Sequence, residues 1–208
     1  MNIHSVIDTA APMTTRVLDA ALAVFTERTY GGSTVPQVAE RAGVGVGTIY
    51  RSFVGKEALA NGVFRRAKQS MLEHLLEALA EAGPDASPRS RVAAVWSGLA
   101  AYAASDPDGF AFLEHQQHAA YLDDESIALA QRIDALAEGL VRDGQSAGAL
   151  REGEPATLVA LVFGAFVGLS KQRRALGRPL STTDLDAAGD AVWHLVARPV
   201  TTTSKEAS

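Results

Sequence analysis

The chain has 208 residues, no cysteine and a formal net charge of -5, a length that allows one large or two small domains with a buried core. Without cysteine the chain cannot form disulfides or thiolate metal sites, which suits a reducing compartment. The first residues lack the basic start and apolar stretch of a signal peptide, so we expect a cytoplasmic protein.

Charge is distributed unevenly along the chain. Residues 1–68 contain 8 Lys and Arg against 5 Asp and Glu, whereas residues 69–208 contain 11 against 19. A mildly basic N-terminal part followed by an acidic body permits contact with a polyanion, although solvated helix faces often carry a similar surplus.

Apolar residues recur at helical spacing, and no stretch keeps the alternation of a β-strand. The pattern predicts an all-α protein of about nine helices, divided by breaks rich in Gly, Pro and Asp. We expect an N-terminal domain over 1–60, a helical body over 61–200 and a disordered tail over 201–208.

The first two helices have recognisable ends. The first is predicted to begin at Thr14 as N-cap and to end before Gly31 and Gly32. The second is predicted to begin at Thr34, which forms a capping box with Gln37, and to end near residue 41.

Three glycines at every second position, Gly43, Gly45 and Gly47, follow the second helix. A phosphate-binding loop of the G-x-G-x-x-G kind needs a glycine where Thr48 stands and a strand before it. A flexible linker does not suit the intervening valines, or two flanking segments too short to be stable alone. The favoured interpretation is a turn, with Gly43 left-handed and Gly45 as N-cap of a third helix ending near Phe53.

Two short helices joined by a glycine-containing turn, on the floor of a longer helix, form a helix-turn-helix. Ile49 and Phe53 face that floor, so Tyr50 and Arg51 point outward, as a DNA groove requires. The alternative is an ordinary helical corner. Lys56 argues against it, because a cation at the start of the fourth helix is unfavourable by about 0.3–1 kcal/mol unless an anion binds there.

The span 15–64 combines the helix "ALAVF", Thr34 at the second helix, and the segments "VAERAGV", "GTIYRSF" and "KEAL". It resembles the N-terminal DNA-binding domain of the TetR family of transcriptional regulators, and the remainder is similar only as an all-helical body. The resemblance implies a ligand-responsive, sequence-specific DNA-binding regulator that is neither an enzyme nor dependent on a cofactor. It implies a homodimeric repressor, released from double-stranded operator DNA by a small-molecule effector, although an activator would look the same.

The resemblance also implies roles for individual residues. Gly45 and Val46 depart from the family's pattern of a polar or acidic cap followed by a polar residue, which leaves Arg51 as the long donor on the third helix. Arg51 suits a guanine contact or a phosphate contact equally well. The implied phosphate contacts are Thr34, Thr48, Tyr50 and Lys56, and the implied base contacts are Val46, Gly47, Arg51 and Ser52.

The body is predicted to contain a long fourth helix to about residue 82 and then helices over 88–104, 107–120, 125–146, 155–176 and 184–197. The helix at 155–176 is apolar on all sides from 158 to 169, yet its uncharged run is too short to span a membrane. We expect it to be covered by its own domain and by a second subunit, the alternative being a simply buried helix. The predicted dimer face is Ala160, Gly164, Gly168, Leu185, Ala188, Val192 and Leu195.

Aromatic and imidazole side chains are concentrated in the body. They are typical of a core, but several have polar tips that suit an apolar effector pocket. The predicted pocket residues are Trp96, Tyr102, Phe110, Phe112, His115, His118, Tyr121, Phe163 and Phe166. The competing hypothesis is a metal-binding or catalytic helical bundle that uses Glu114 and His118, although no Glu-x-x-His motif is present.

Overall fold

The computed structural model describes residues 12–115 and 118–199, and the predicted disordered tail at 201–208 lies outside them. Within these ranges the chain forms nine α-helices and a short 3-10 helix, with one isolated bridge between Leu150 and Ala197. This confirms the predicted all-α class. The helices are α1 (Met13–Arg28), α2 (Val35–Ala42), α3 (Val46–Ser52), α4 (Gly55–Ala82), α5 (Pro88–Ser105), α6 (Pro107–His115), α7 (Asp124–Ser146), α8 (Pro155–Ala175) and α9 (Thr182–Val196).

The observed ends agree with the predicted ones to within a few residues, with one exception. The helix predicted over 107–120 ends at His115, and a separate 3-10 turn covers His118–Ala120. At the other end of the chain, α1 begins at Met13 with Pro12 as N-cap, slightly ahead of the predicted Thr14.

The turn between α2 and α3 forms as predicted. Gly43 is left-handed (φ 66°, ψ 37°), and its N–H bonds to carbonyls at the end of α2. Gly45 is the extended N-cap of α3. Val44 is half-buried against the core formed by α1, α2 and α4. The conformation that only glycine adopts without strain therefore sets the angle between the two short helices.

The chain forms two compact units. The N-terminal unit contains residues 1–73 and 101–131, and the C-terminal unit contains residues 74–100 and 132–208. In the N-terminal unit, α1, α2, α3 and the first part of α4 share one apolar core with α6 and the segment that follows it. The boundary predicted near residue 60 is not tested by this division and stays a prediction.

The C-terminal unit is organised around α8 and α9. Trp96 packs perpendicular to Phe166 of α8, with 5.2 Å between ring centroids, and its Nε1–H donates to the Leu185 carbonyl of α9 at 2.9 Å. A second group of buried side chains, Leu150, Leu158 and Val196, packs near the bridge. These contacts fix the two last helices against each other.

Candidate nucleic-acid interface

Helix α3 has one buried side and one exposed side. Ile49 is buried with 1 % exposure, and Phe53, directly after the helix, packs against the same core. Tyr50 is 54 % exposed, and Arg51 and Ser52 are also exposed. The core contacts therefore orient α3 so that its polar side faces solvent, as predicted.

The exposed side of α3 combines few polar groups with open space. The Arg51 guanidinium donates to the Thr48 hydroxyl at 2.9 Å, which holds the arginine along the helix surface. Nothing lies within 4 Å of the position a Cβ would take at Gly47. Val46 is 37 % exposed, and Val54, between α3 and α4, is 93 % exposed. The surface suits close approach of a large polar partner, with apolar side chains beside one long donor.

Thr34 lies at the start of α2, with its backbone N–H bonded to the Gln37 side chain at 2.9 Å. The residue is exposed. Contacts to α1 hold the other end of α2 in place, since Arg16 donates to the Ala42 carbonyl at 3.0 Å and Arg41 forms an ion pair with Glu27.

Lys56 has partners that the sequence did not suggest. Its ammonium donates to the backbone carbonyls of Tyr30 at 2.9 Å and Ser33 at 3.1 Å. It also lies 4.2 Å from the centroid of the Tyr30 ring. A lysine ammonium has three N–H donors, so two of them are already used within the protein.

The predicted effector residues fall into two groups. Tyr102, Phe110, Phe112, His118 and Tyr121 belong to the N-terminal unit, whereas Trp96, Phe163 and Phe166 belong to the C-terminal unit. The His115 side chain lies outside the described atoms. Phe112 and Tyr121 belong to the core of the DNA-binding helices, where the ring centroids of Phe112 and Phe25 are 6.2 Å apart.

Tyr121 is buried and forms a hydrogen-bonded pair with His118, which is half-buried. The Tyr121 hydroxyl and His118 Nδ1 are 2.5 Å apart, and Nε2 lies 3.1 Å from the Leu113 carbonyl. Because a carbonyl only accepts, Nε2 carries the proton and Nδ1 accepts from the tyrosine. Burial lowers the pKa of His118, and burial raises the pKa of Tyr121. Both groups are therefore neutral near pH 7.

Sequence analysis missed Asn61, which joins this pair to α4. Its buried side chain donates to the Tyr121 carbonyl at 2.7 Å and accepts from the Asp123 N–H at 3.0 Å. A polar side chain among the apolar residues of "EALANGVF" was the available signal. Buried amides usually find such partners.

The metal-site hypothesis finds little support in these contacts. In residues 12–115 and 118–199 there is no group of three or more potential metal ligands. Both ring nitrogens of His118 already have hydrogen-bond partners.

An open groove of about 460 Å³ lies beside the last turn of α9 and is lined by Arg151 and His194 among others. It contains none of the predicted effector residues.

On the predicted dimer face, the small residues of α8 are open to solvent. Ala160, Gly164 and Gly168 are exposed, and nothing lies within 4 Å of an added Cβ at either glycine. On α9, Leu195 is 37 % exposed, whereas Val192 is buried inside its own unit. Leu185 and Ala188 are half-buried.

Among the described residues, α8 alone is long and apolar enough to be a candidate membrane span. A single helix of this kind is weak evidence for a membrane protein, because the core helix of a soluble protein meets the same criteria.

This arrangement defines a helix-turn-helix DNA-binding protein with a helical C-terminal domain. The family profile "Bacterial regulatory proteins, tetR family" matches residues 17–63, and "Tetracyclin repressor-like, C-terminal domain" matches residues 68–197. The chain therefore belongs to the TetR family. It is a ligand-responsive, sequence-specific DNA-binding transcriptional regulator of the repressor type, as predicted.

Individual relatives agree with this assignment. The chain is 27 % identical over 161 residues, 74 % of its length and 79 % of the relative's, to the fatty acid metabolism regulator protein of Bacillus subtilis (strain 168). A tetR-family regulator from Shewanella sp. PV-4 has a TM-score of 0.78 at 19 % identity, over 91 % of this chain and 100 % of that one. The B. subtilis regulator FadR in complex with stearoyl-CoA has a TM-score of 0.67 at 22 % identity, over 87 % and 96 %.

Proposed function

We propose that the protein is a homodimeric repressor of the cytoplasm that is released from its operator by a long-chain fatty acyl-CoA and catalyses no reaction. The observation that carries the DNA-binding part is the geometry of α3. A short helix, fixed by Ile49 on the core, presents Tyr50 and Arg51 to solvent after a turn made possible by left-handed Gly43.

The proposed DNA face consists of exposed or half-exposed residues around α3. Arg51 is proposed as the guanine reader and Val46 as a contact to a thymine methyl group, because these side chains suit those base edges. Hydroxyl groups at the rim are proposed to bind phosphates, which position the motif without reading sequence. The full set is Thr34, Val46, Gly47, Thr48, Tyr50, Arg51 and Ser52. Lys56 differs from them, because its ammonium already contacts two carbonyl oxygens.

The proposed dimer joins two copies through α8 and α9. Only 17 % of the apolar window of α8 is buried within the chain, and contiguous apolar surface of this kind marks interaction sites. Gly164 and Gly168 allow a second helix to approach closely, since no atom occupies the space beside them. The other exposed or half-exposed members are Ala160, Leu185, Ala188 and Leu195.

The proposed effector class rests on the relatives. The B. subtilis relative is a fatty acid metabolism regulator, and the solved FadR structure contains stearoyl-CoA. In this chain Trp96 and Phe166 provide an apolar interior in the C-terminal unit, and Phe110 and Phe112 provide one in the N-terminal unit. We propose that the acyl chain enters one of these apolar regions, because ligand pockets are lined mainly by such side chains.

Selection of the purified protein against random duplexes, at about 100 mM salt, tests operator binding first. The expected product is an inverted repeat, which a two-fold dimer reads through two copies of α3. Palmitoyl-CoA, oleoyl-CoA and stearoyl-CoA are then titrated into the complex, with CoA and stearate as controls. Release by the thioesters but not by CoA supports the effector proposal. Binding that no acyl-CoA changes contradicts the effector class and leaves the DNA-binding function intact.

A further inference from the structure

Tyr30, at the end of the first turn after α1, brings together parts of the chain that are far apart in sequence. Lys56 of α4 lies 4.2 Å from its ring centroid, and the Tyr121 ring lies 4.3 Å from it. Tyr121 belongs to the part of the chain matched by the C-terminal family profile, whereas Tyr30 and Lys56 belong to the part matched by the DNA-binding profile. All three residues lie in the N-terminal unit.

Lys56 fastens the connection between α1 and α2. The carbonyls that it contacts belong to Tyr30 and Ser33, at the two ends of that connection. The same connection is closed by the Ser33 hydroxyl and the Ser33 N–H, which donate to the Tyr30 carbonyl at 2.8 Å and 3.3 Å. These carbonyls offset the cost of a cation at the start of α4, so the position of Lys56 is explained without a bound phosphate.

Tyr121 is also held by hydrogen bonds within the protein. Its hydroxyl bonds to His118, and its carbonyl accepts from Asn61 of α4. Arg65 bonds to Asp123 at 2.9 Å, which fixes the end of the same segment on α4. A displacement of residues 118–123 must therefore move the Tyr30 ring or break several hydrogen bonds.

From these contacts we infer that Lys56 is a positioning residue for DNA binding, which fastens the α1–α2 connection to α4, and that Tyr121 controls this fastening through the Tyr30 ring. The inference rests on the proposed operator binding. In this arrangement Lys56 affects DNA binding indirectly and not through a phosphate contact. Movement of the helical body reaches the helix-turn-helix through residues 118–123.

The salt dependence of operator affinity separates the two roles of Lys56. Log affinity falls linearly with log salt, and each phosphate contact that is lost lowers the steepness of this fall by about 0.9. For Lys56→Met in the full chain, we expect about tenfold weaker operator binding at every salt concentration, since charged hydrogen bonds are lost, and an unchanged slope. Lys171→Met, which removes the same charge from the C-terminal unit, is expected to change neither quantity. A salt dependence less steep by about 0.9 for Lys56→Met overturns the positioning role.

Hydrogen exchange of the Ser33 amide tests the fastening without DNA. The amide bonds to the Tyr30 carbonyl, which Lys56 also contacts. We expect faster Ser33 exchange in Lys56→Met and in Tyr121→Ala than in the wild-type chain. Tyr121→Phe keeps the ring on Tyr30 and is expected to exchange like the wild type. Unchanged exchange in both Lys56→Met and Tyr121→Ala contradicts the inference. Because no operator is needed, failure of the proposed function is distinguishable from failure of this inference.

A double-variant cycle tests the connection between the two residues. If Tyr121 acts through Tyr30 on Lys56, Lys56→Met and Tyr121→Ala together weaken operator binding by less than the product of the single effects. Independent, multiplicative losses contradict the connection. Tyr121→Leu, which keeps an apolar side chain, replaces Tyr121→Ala if that variant does not fold, and the same comparison applies.

Discussion

The two units differ in how completely they bury their own apolar side chains. In the N-terminal unit Phe25 and Phe112 have no exposed surface, and Tyr121 is 6 % exposed. In the C-terminal unit α8 leaves Leu161 40 % exposed, near two glycines with open space beside them. The first unit has an internal core that includes its DNA-binding helices, whereas the second has a face that suits a second copy. The effect of a substitution in the N-terminal unit should therefore be independent of protein concentration, whereas the effect of one on the exposed face of the C-terminal unit should depend on it.

The largest effect is expected from Phe25→Ala. The ring packs against Phe112 and Tyr30, and its loss leaves a cavity in a closed core. We expect a decrease of about 3–5 kcal/mol in the free energy of unfolding, independent of protein concentration. Met13→Ala, at a side chain 48 % exposed, is the control and should change it by no more than about 0.5 kcal/mol. Denaturant unfolding measures both free energies. A change for Phe25→Ala as small as that for Met13→Ala would mean that the core is loosely packed.

Gly164→Glu is expected to separate the subunits of the proposed dimer. The side chain has room in a single chain, but a partner helix would bury its charge without a counter-ion, which costs about 3 kcal/mol or more. Sedimentation should show monomers at concentrations where the wild type is dimeric. Gly139→Glu makes the same change at another open helical glycine and should leave the dimer intact. A dimer of unchanged affinity in Gly164→Glu would place the subunit contact elsewhere.

Arg51→Ala tests whether the exposed side of α3 contacts bases. Loss of a bidentate guanine contact costs about 1–3 kcal/mol and relaxes preference at one position of the half-site. Repeating the duplex selection measures both quantities. Val46→Ala is expected to cost less, because it removes only apolar contact. A loss in Arg51→Ala that is the same for all sequences would make Arg51 a phosphate ligand.

The smallest effect concerns His118 and pH. Burial lowers its pKa in the folded protein, so the unfolded chain, with the ordinary pKa near 6.5, binds more protons. The stability from this group is present above pH 6.5 and is lost as pH falls through the lower folded pKa, by at most about 1.4 kcal/mol per pH unit. Hydrogen bonds with the backbone of Leu113 and Phe112 raise the pKa of His118 against this burial, whereas the charge of Lys68 lowers it, and the Tyr121 hydroxyl bonds to Nδ1. Urea unfolding at successive pH values should show a steeper acid loss in the wild type than in His118→Gln; equal profiles would contradict this.

The helices and the turn of the DNA-binding region were predictable because their signals are local. Gly43 follows the last residue of α2 and takes the left-handed conformation that its position requires. Thr34 and Gln37 lie within one helical turn of each other. Spacing within the sequence is enough to identify such features.

The contacts of Lys56 could not be predicted in the same way. Its partner Tyr30 is 26 residues away, and Asn61 meets Tyr121 across 60 residues. A sequence pattern indicates that Lys56 stands at a helix start, but not which carbonyls approach it. The aromatic residues of the body present the same difficulty, since their composition suits a pocket and a core equally, and the fold divides them between two units.

The aromatic contact between Phe25 and Phe112 limits how regulators of this kind can be recombined. A chimera that joins residues 1–67 to the C-terminal domain of another regulator keeps Phe25 and Tyr30 but loses the native side chains of Phe112 and Tyr121 that cover them. Transplanting operator specificity to a new sensor is therefore expected to require residues 101–131 along with the helix-turn-helix, as a single exchangeable cassette.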